Sequence, residues 1–482
     1  MRVALVPWSR LDPGNDLARA YLADPPRALP LFAHDYREPR ALRPLVDARR
    51  ERPRLGAILE RYNREVGGSP ENAARLDGAF CVVGGQQAGL LLGPAYTTFK
   101  LFTVINAARV LEAELKVPVV PVFSVESEDH DWEEVNRFFW GDRRYRLEVE
   151  VAPGTPVSRI EADPAPFLAE VREALREGEA WEVVEPERNV ARWHVRNLAR
   201  LVKGEGVVFL EPSLLREPMR PLAERIARSA DAIDASLLRE TGFERRLAPP
   251  DGAYLFDSEG PRRRLARAAP LPAQWSADVV SRVLVQNAAL PVLAAVCGPA
   301  EIQYWAQLKG AHEALQIPMP AVLPRDSATL VEEGIARDAH RLGLDLEEVL
   351  RGVAKPPEPG AEDPVASRLR RLATEAADLQ QAHESGRLDL PQSTDRPFRK
   401  TVDRLRDELQ KLAGRIEDAR AEAQGAGRRH YDRILKELRP RGALQERTHS
   451  LFPYLLRHGT SLARELRESF HPFEFGHYLV RL

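Results

Sequence analysis

FCVVGGQQAGLLLGPAYTTFKLFTVINAARVLEAELKVPVVPVFSV, residues 80–125, holds three elements in a row. Phe80-Cys81-Val82-Val83 is a short apolar run ending at Gly84-Gly85, which reads as a buried strand entering a tight turn. Thr97 to Leu115 places Phe99, Phe102, Ile105, Ala108 and Leu111 at three-residue steps and reads as a helix. Val117 to Val125 is a second apolar, β-branched run. Strand, turn, helix, strand is the βαβ pattern of a parallel sheet. Ligands of such sheets bind beyond the carboxyl ends of the strands, so polar residues there are the first candidates for chemistry.

The layout recurs further on. Pro291 to Cys297 is an apolar run ending at Gly298-Pro299, followed by helical spacing of Ile302, Trp305, Leu308 and Ala311. Val207 to Leu210, Gly252 to Phe256 and Pro320 to Pro324 read as further strands. Residues 1–75 read as helices with Pro-rich joints, among them a long one over Ala41 to Tyr62. In the segment that follows residue 140, Tyr145 to Val151 alternates strictly, as a half-exposed strand does, and Pro164 to Trp181 reads as a helix. From 364 to 436 the pattern changes. Val365, Leu369, Leu372, Ala376 and Leu379 step by four and three, as do Phe398, Val402, Leu405, Leu409, Leu412, Ile416, Ala419 and Ala423. With charges between them, these are heptads, broken at Gly386, Pro391 and Pro397, and they predict an antiparallel helical hairpin.

The expected class is therefore α/β: a Rossmann-like parallel-sheet core with inserted segments and a helical coiled-coil arm. The expected division is 1–139 and 206–363 for the core, 140–205 for an inserted connecting segment, 364–438 for the arm and 439–482 for a C-terminal segment that packs back on the core.

The formal net charge is -2, with 70 Lys and Arg against 72 Asp and Glu. No basic block stands out, which argues against a nucleic-acid partner. Two cysteines, Cys81 and Cys297, exclude a disulfide framework and a Cys-rich zinc site, and fit a reducing cytoplasm. The apolar run at the N-terminus is broken by Pro7 and Arg10 and is too short for a signal-peptide core. No apolar stretch has the length of a membrane span. The expected location is the cytoplasm, with no membrane association.

Four motifs can carry chemistry. Gly84-Gly85-Gln86-Gln87-Ala88-Gly89, running on to Gly93, brings backbone N–H groups and a helix start to a strand end. The glycines fit a tight packed turn equally well, but two adjacent amides offer donors and acceptors that packing does not need. Glu126-Ser127-Glu128-Asp129-His130-Asp131 crowds five titratable groups into six positions. Like charges this close call for a cation, a ligand ammonium or protonation. Three uses follow: a metal, an amino group, or a general base with His130 nearest neutrality. A solvated acidic helix start would also produce the pattern, and one His without Cys is a poor zinc set, so no metal site is assigned. Gly298-Pro299-Ala300-Glu301 with Tyr304 opens a helix, where Glu301 either caps it or faces a ligand. Arg325, in Pro324-Arg325-Asp326-Ser327, stands at a strand end where an anion commonly binds.

Five segments together resemble the bacillithiol-biosynthesis family that adds cysteine, BshC. They are GGQQAGLLLGPAYTTFK at 84–100, VPVFSVESEDHDWEEVN at 120–136 and LPVLAAVCGPAEIQYWAQLK at 290–309, with IPMPAVLPRDSATLVE at 317–332 and RPRGALQERTHSLFPYL at 439–455. The resemblance implies a Rossmann-like core similar to nucleotidylyltransferases and class I aminoacyl-tRNA synthetases, inserted segments, and a coiled coil that makes a homodimer. It implies a ligase joining the carboxyl of cysteine to the amine of glucosaminyl-malate, the last step of bacillithiol synthesis. In the similar folds a strand-end motif with two histidines serves adenylate formation. Here Leu91-Leu92-Gly93-Pro94 stands in that place. ATP or another adenine nucleotide, with Mg²⁺, is the cofactor to test, and the sequence does not say how the carboxyl is activated.

On this reading His130, Asp129 and Glu128 are the catalytic candidates. Gly84, Gly85, Gln86, Gln87, Gly89, Gly93, Tyr96, Lys100, Glu126, Asp131, Gly298, Glu301, Tyr304, Arg325 and Ser327 are the candidates for binding substrate. The rival readings are a nucleotidyl- or acyl-transferase on another amino sugar, and a non-catalytic scaffold built on the coiled coil.

Overall fold

The computed structural model describes residues 1–48, 52–141, 143–175, 177–267, 269–356, 364–388, 390–423 and 427–482. They form two units: Met1–Leu330 with Ala443–Leu482, and Val331–Gly442.

The first unit is built on five strands: β1 (Phe80–Gln86), β2 (Val119–Val125), β3 (Val208–Leu210), β4 (Val292–Cys297) and β5 (Ala321–Pro324). Every pairing is parallel and the order is β5-β4-β1-β2-β3. The chain thus winds one way from β1 and the other way from β4, and a crevice opens where the direction reverses. Val83 lies beside Val122 and Ala295, and Gly84 beside Phe123 and Val296, so the carboxyl ends are nearly flush. All residues of β2 and β4 are buried. Coverage on both faces is why these strands read as unbroken apolar runs.

Helix α1 (Ala95–Leu115) follows β1 and packs on the sheet. A Cβ on Gly84 would fall 2.6 Å from Val104 Cγ2, so the close approach of strand and helix requires glycine there. The C-terminal segment also packs on α1. Asn106 Nδ2 donates to Arg467 O (2.6 Å) and Phe470 O (2.9 Å), and the Phe470 ring stands edge-on to Phe99 at 5.4 Å. Each buried Phe contributes about 1.5–3 kcal/mol. Helices α2 (Val279–Ala289) and α3 (Pro299–Trp305) flank β4 in sequence.

Four differences from the sequence reading concern this unit. Arg2–Pro7 is a strand, antiparallel to Gly476–Arg481, with Ser327–Val331 on the far side of the latter. It is mostly exposed, and its partner stands at the other end of the chain, so no local pattern marks it. The strand expected over Tyr145 to Val151 spans Arg143–Arg146 instead, because its partner Arg137–Trp140 runs out at the Arg137–Arg146 pair. The helix expected over Pro164 to Trp181 stops at Ala174. The helix expected over Ala41 to Tyr62 is two pieces, Arg43–Asp47 and Gly56–Val66, with residues 49–51 outside the described residues.

In the second unit α4 (Pro364–Glu384) and α5 (Gln392–Ala423) lie side by side. Arg370 pairs with Glu417 (3.0 Å) and His383 with Asp395, so the helices run antiparallel. Pro397 sits within α5 rather than ending a run, and lacks the N–H that the helix ladder would use there. The heptad positions divide between two faces. Ala376 and Val402 are buried, with Ala366, Ala373 and Ala413 beside them, and the small side chains let the helices approach. Val365, Leu372, Leu379, Leu405 and Leu412 are 41–55% exposed. The side chains of Ala419 and Ala423 lie outside the described residues. No described helix is long and apolar enough to cross a membrane.

Candidate active site at the switch point of the sheet

A cavity of about 360 Å³ opens beyond β1 and β4, at the reversal of winding. Gln86, Gln87, Lys100, Asp129, Glu301 and Arg325 are among the residues that line it. A second cavity, of about 250 Å³, shares Gln86, Gln87, Tyr96 and Arg447 with the first. The glutamine pair therefore stands in a wall between two spaces, each large enough for a small molecule.

Lys100 rises from α1 and is 1% exposed. Its Nζ donates to Gly85 O (2.7 Å), Gln86 Oε1 (3.2 Å) and the carboxylate of Glu301. Glu301 Oε2 also accepts from Gly298 N at 2.6 Å, so it caps α3 and faces the cavity at once. A buried ammonium is tolerable only with such partners. Beside it Arg282 of α2 pairs with Glu126 at 3.1 Å. Tyr304 is 8% exposed and lines the cavity, and among the described residues its hydroxyl has no hydrogen-bond partner.

The acidic run does not converge as one cluster. Glu126 and Asp129 face the cavity. Asp129 is fixed on both oxygens: Gln87 Nε2 donates to Oδ2 (2.6 Å) and the His130 backbone N–H to Oδ1 (2.8 Å). Glu128 turns away, pairs with Arg216 and lines a separate hollow, and burial pushes its carboxyl up in spite of that pair. His130 lies outside the cavity lining, with Nδ1 facing Arg262 Nη1 at 3.3 Å. Asp131 is exposed and also outside it. Asp129, His130 and Asp131 offer ligand atoms within 4.8 Å of one another, a spacing open to a cation. The Arg262 guanidinium and the Gln87 amide compete for those same atoms.

Arg325 is held from behind. Its Nη2 donates to Glu446 Oε1 (2.6 Å) and its Nη1 to Asp326 O (2.8 Å). Burial alone would raise Glu446, but the charge and hydrogen bond of Arg325 win and hold it low. Ser327 is not at the cavity. It is 1% exposed, donates to Glu446 Oε1 (2.8 Å) and meets His477 Nδ1 at 2.7 Å. It supports the support of Arg325. Gly89 and Gly93 line the second cavity, and Gly84 a small hollow behind the first.

The turn after β1 bears on nucleotide chemistry. Leu90, Leu91 and Leu92 point into the core at 0–1% exposure, with Leu91 and Leu92 at positive φ. His194 packs against Gly93 and His449 accepts from Ala95 N through its carbonyl, but both rings are buried, at 1% and 0% exposure. No imidazole faces the cavity from this turn, so the residues present do not fit the two-histidine handling of a nucleotide phosphate.

Sequence reasoning passed over Arg282, Arg246 and Arg447, which line the cavity, and Glu446 behind it. Arg282 had a signal, a lone charge inside the apolar run Val279 to Val285. Arg246 and Arg447 had none.

A doubly wound parallel sheet with opposed charges converging at its switch point defines an α/β enzyme acting on a small polar molecule. The N-terminal Rossmann-like domain of the bacillithiol-biosynthesis protein BshC matches residues 1–242 and 263–326, and the C-terminal coiled-coil domain of the same protein matches 328–482. A protein of Symbiobacterium thermophilum named "Putative cysteine ligase BshC" is 30% identical over 99% of this chain and 99% of its own. Proteins of the same name from Geobacillus kaustophilus and Heliobacterium modesticaldum are 29% and 28% identical, over 86% and 97% of this chain and 88% and 98% of theirs. The chain belongs to the BshC family of bacillithiol biosynthesis, and its enzyme class is ligase.

Proposed function

We propose that this enzyme joins the carboxyl of cysteine to the amine of glucosaminyl-malate, the last step of bacillithiol synthesis, in the cytoplasm. The observation that carries the reading is the fixed Asp129 carboxylate beside Gln87 at the wall between two cavities, one for each substrate. The glucosamine nitrogen attacks the carbonyl carbon of the activated cysteine carboxyl. The C–N bond forms as the carboxyl's leaving group departs, and the nitrogen's proton passes to Asp129. Gln87 and the His130 backbone N–H keep that carboxylate aimed, while His130 itself stands aside. Arg325, Arg246 and Arg447 supply the positive charge that the malyl carboxylates need.

The enzyme acts as a homodimer through the coiled coil. The exposed stripe of Val365, Leu372, Leu379, Leu405 and Leu412 supports this, since an apolar seam of that length calls for a partner helix.

The test is mass spectrometry of the protein with glucosaminyl-malate and cysteine, with and without ATP and Mg²⁺. Appearance of bacillithiol is the expected result, and its nucleotide dependence identifies the activating group. Binding of the sugar without product in either arm would overturn the reading.

A further inference from the structure

The second cavity, of about 250 Å³, has a polar lining of its own. Gln87, Ala88, Gly89 and Leu90 stand in succession along its wall, directly after β1. Among the described residues none of their four backbone N–H groups has a hydrogen-bond acceptor. Ala88 and Leu90 are 2% and 1% exposed. Buried N–H groups are nearly always paired, so a run of them beside an open cavity calls for acceptors from a ligand. Successive main-chain N–H groups suit an oxyanion. No histidine takes part in this device.

The charges of this cavity are independent of its main chain. Glu134, on the short helix Trp132–Val135, and Arg137, which opens the strand Arg137–Trp140, line it together with Arg447. Among the described residues none of these three side chains makes an ion pair, although the adjacent Glu133 is paired with Arg146 at 2.7 Å. In the main cavity, by contrast, Lys100, Arg282 and Arg325 are each held by a carboxylate. Arg447 borders both cavities, and a guanidinium has donors enough for both sides. Two positive charges and one negative charge therefore await a ligand. An aminoacyl phosphate carries the matching set: an ammonium, and a phosphoryl group with about two negative charges and several acceptor oxygens. A free amino acid offers a single negative charge, and an aminoacyl thioester offers none.

We propose that the second cavity holds cysteine as a mixed anhydride with phosphate. The phosphoryl oxygens meet the N–H groups of residues 87–90 and the guanidiniums of Arg137 and Arg447, and the ammonium meets Glu134. The acyl carbon then lies at the Gln86–Gln87 wall, across from the amine in the main cavity. The amine nitrogen attacks that carbon. The C–N bond forms as the C–O bond to phosphate breaks, and the bonding pair leaves on the phosphate oxygen. The proton lost by the nitrogen passes by way of Asp129 to the departing phosphate. The reaction that supplies this substrate is therefore a phosphoryl transfer to the carboxyl of cysteine. The proposal rests on the ligase reading for cysteine as the acyl group, whereas the oxyanion site does not depend on it.

The test is calorimetry, which needs no turnover. The probes are inorganic phosphate and the acyl sulfamate of cysteine, a stable mimic of the anhydride. Both bind the wild type, and Arg137→Gln weakens both about tenfold. Glu134→Gln separates them. Phosphate binds about threefold more tightly once the nearby carboxylate is gone, and the sulfamate about threefold more weakly without a partner for its ammonium. Arg246→Gln, in the main cavity, leaves phosphate affinity unchanged. Glu134 and Arg137 are exposed, so these variants keep the fold, and melting curves verify it. Phosphate affinity that ignores Arg137→Gln, or that follows Arg246→Gln instead, overturns the site. Both probes moving the same way in Glu134→Gln overturns the anhydride. An enzyme that binds both probes in the expected pattern and forms no bacillithiol keeps the site and removes the ligase reading. Bacillithiol formed by a protein whose probe binding ignores Arg137 does the reverse.

Discussion

Lys100 and Glu301, 201 residues apart in the chain, close on each other across the end of the parallel sheet. The pair ties α1 to α3 and holds β1 and β4 at the spacing that opens the cavity. Removing one partner leaves the other charged without compensation. Lys100→Met is expected to destabilise the fold by about 3 kcal/mol, the low end for a buried pair because Glu301 keeps some solvent contact. Lys100→Met with Glu301→Gln is expected to recover part of that loss but none of the activity. Urea unfolding measures both, and additive losses in the double variant would show that the two do not act as a unit.

Asp129 and His130 are neighbours with different surroundings, which separates their expected roles. Asp129→Asn is expected to lower turnover about 10²–10⁴-fold with little change in stability. His130→Ala, on the side of Arg262, is expected to lower it less than about tenfold. Steady-state rates on folded variants check this, and the opposite order would return the base assignment to His130.

Glu446 fixes Arg325 from a position where it touches no substrate. Glu446→Gln keeps the shape but removes the charge that holds the guanidinium. A loss of about 3 kcal/mol in unfolding free energy is expected, together with a raised KM for glucosaminyl-malate and a cysteine KM that stays put. Equal changes in both constants would point to general loosening instead.

Acid should weaken the fold. His194, His312, His449 and His477 are buried, and desolvation holds each at about 4, against roughly 6.5 in an unfolded chain. The unfolded chain takes up protons first, so stability is lost as pH falls from 6.5 towards 4, by roughly 2 kcal/mol per histidine at pH 5. Asp326 opposes this: burial raises it to about 7, so the native state gains a proton on acidification that the unfolded chain does not. Four groups outweigh one. The urea midpoint is expected to drop between pH 7 and 5, and more steeply in Asp326→Asn. A flat midpoint would mean that these rings are not neutral and dry.

The outer leucines of the hairpin should control assembly. Leu372→Gln with Leu405→Gln is expected to convert a dimer to a monomer in sedimentation at micromolar concentration, without loss of helix by circular dichroism. A wild type that sediments as a monomer removes the dimer.

The parallel sheet was legible because its strands, Val119 to Val125 above all, are buried on both faces and need no distant partner to be recognised. The strand Arg2–Pro7 was not, since its pairing is supplied by residues at the opposite end of the chain. In the heptads, spacing announced helices that bury a stripe, but spacing cannot say which of two partners a given leucine faces. Gln86, Gln87 and Glu301 could be named from strand ends, and Lys100, inside a helix, only from the resemblance. Asp129 could not be told from Glu128 in advance, because adjacent side chains diverge and only the fold decides which meets the cavity and which meets Arg216.

The pairing of Arg2–Pro7 with Gly476–Arg481 has a consequence for synthesis. The first strand leaves the ribosome long before its neighbour exists, and Glu446, which holds Arg325, is likewise made more than a hundred residues after the arginine it fixes. The parallel sheet can form on the nascent chain, but the cavity-lining Arg325 is set only when Glu446 reaches it. A ribosome stalled short of residue 446 would therefore carry a folded sheet with an unfinished site.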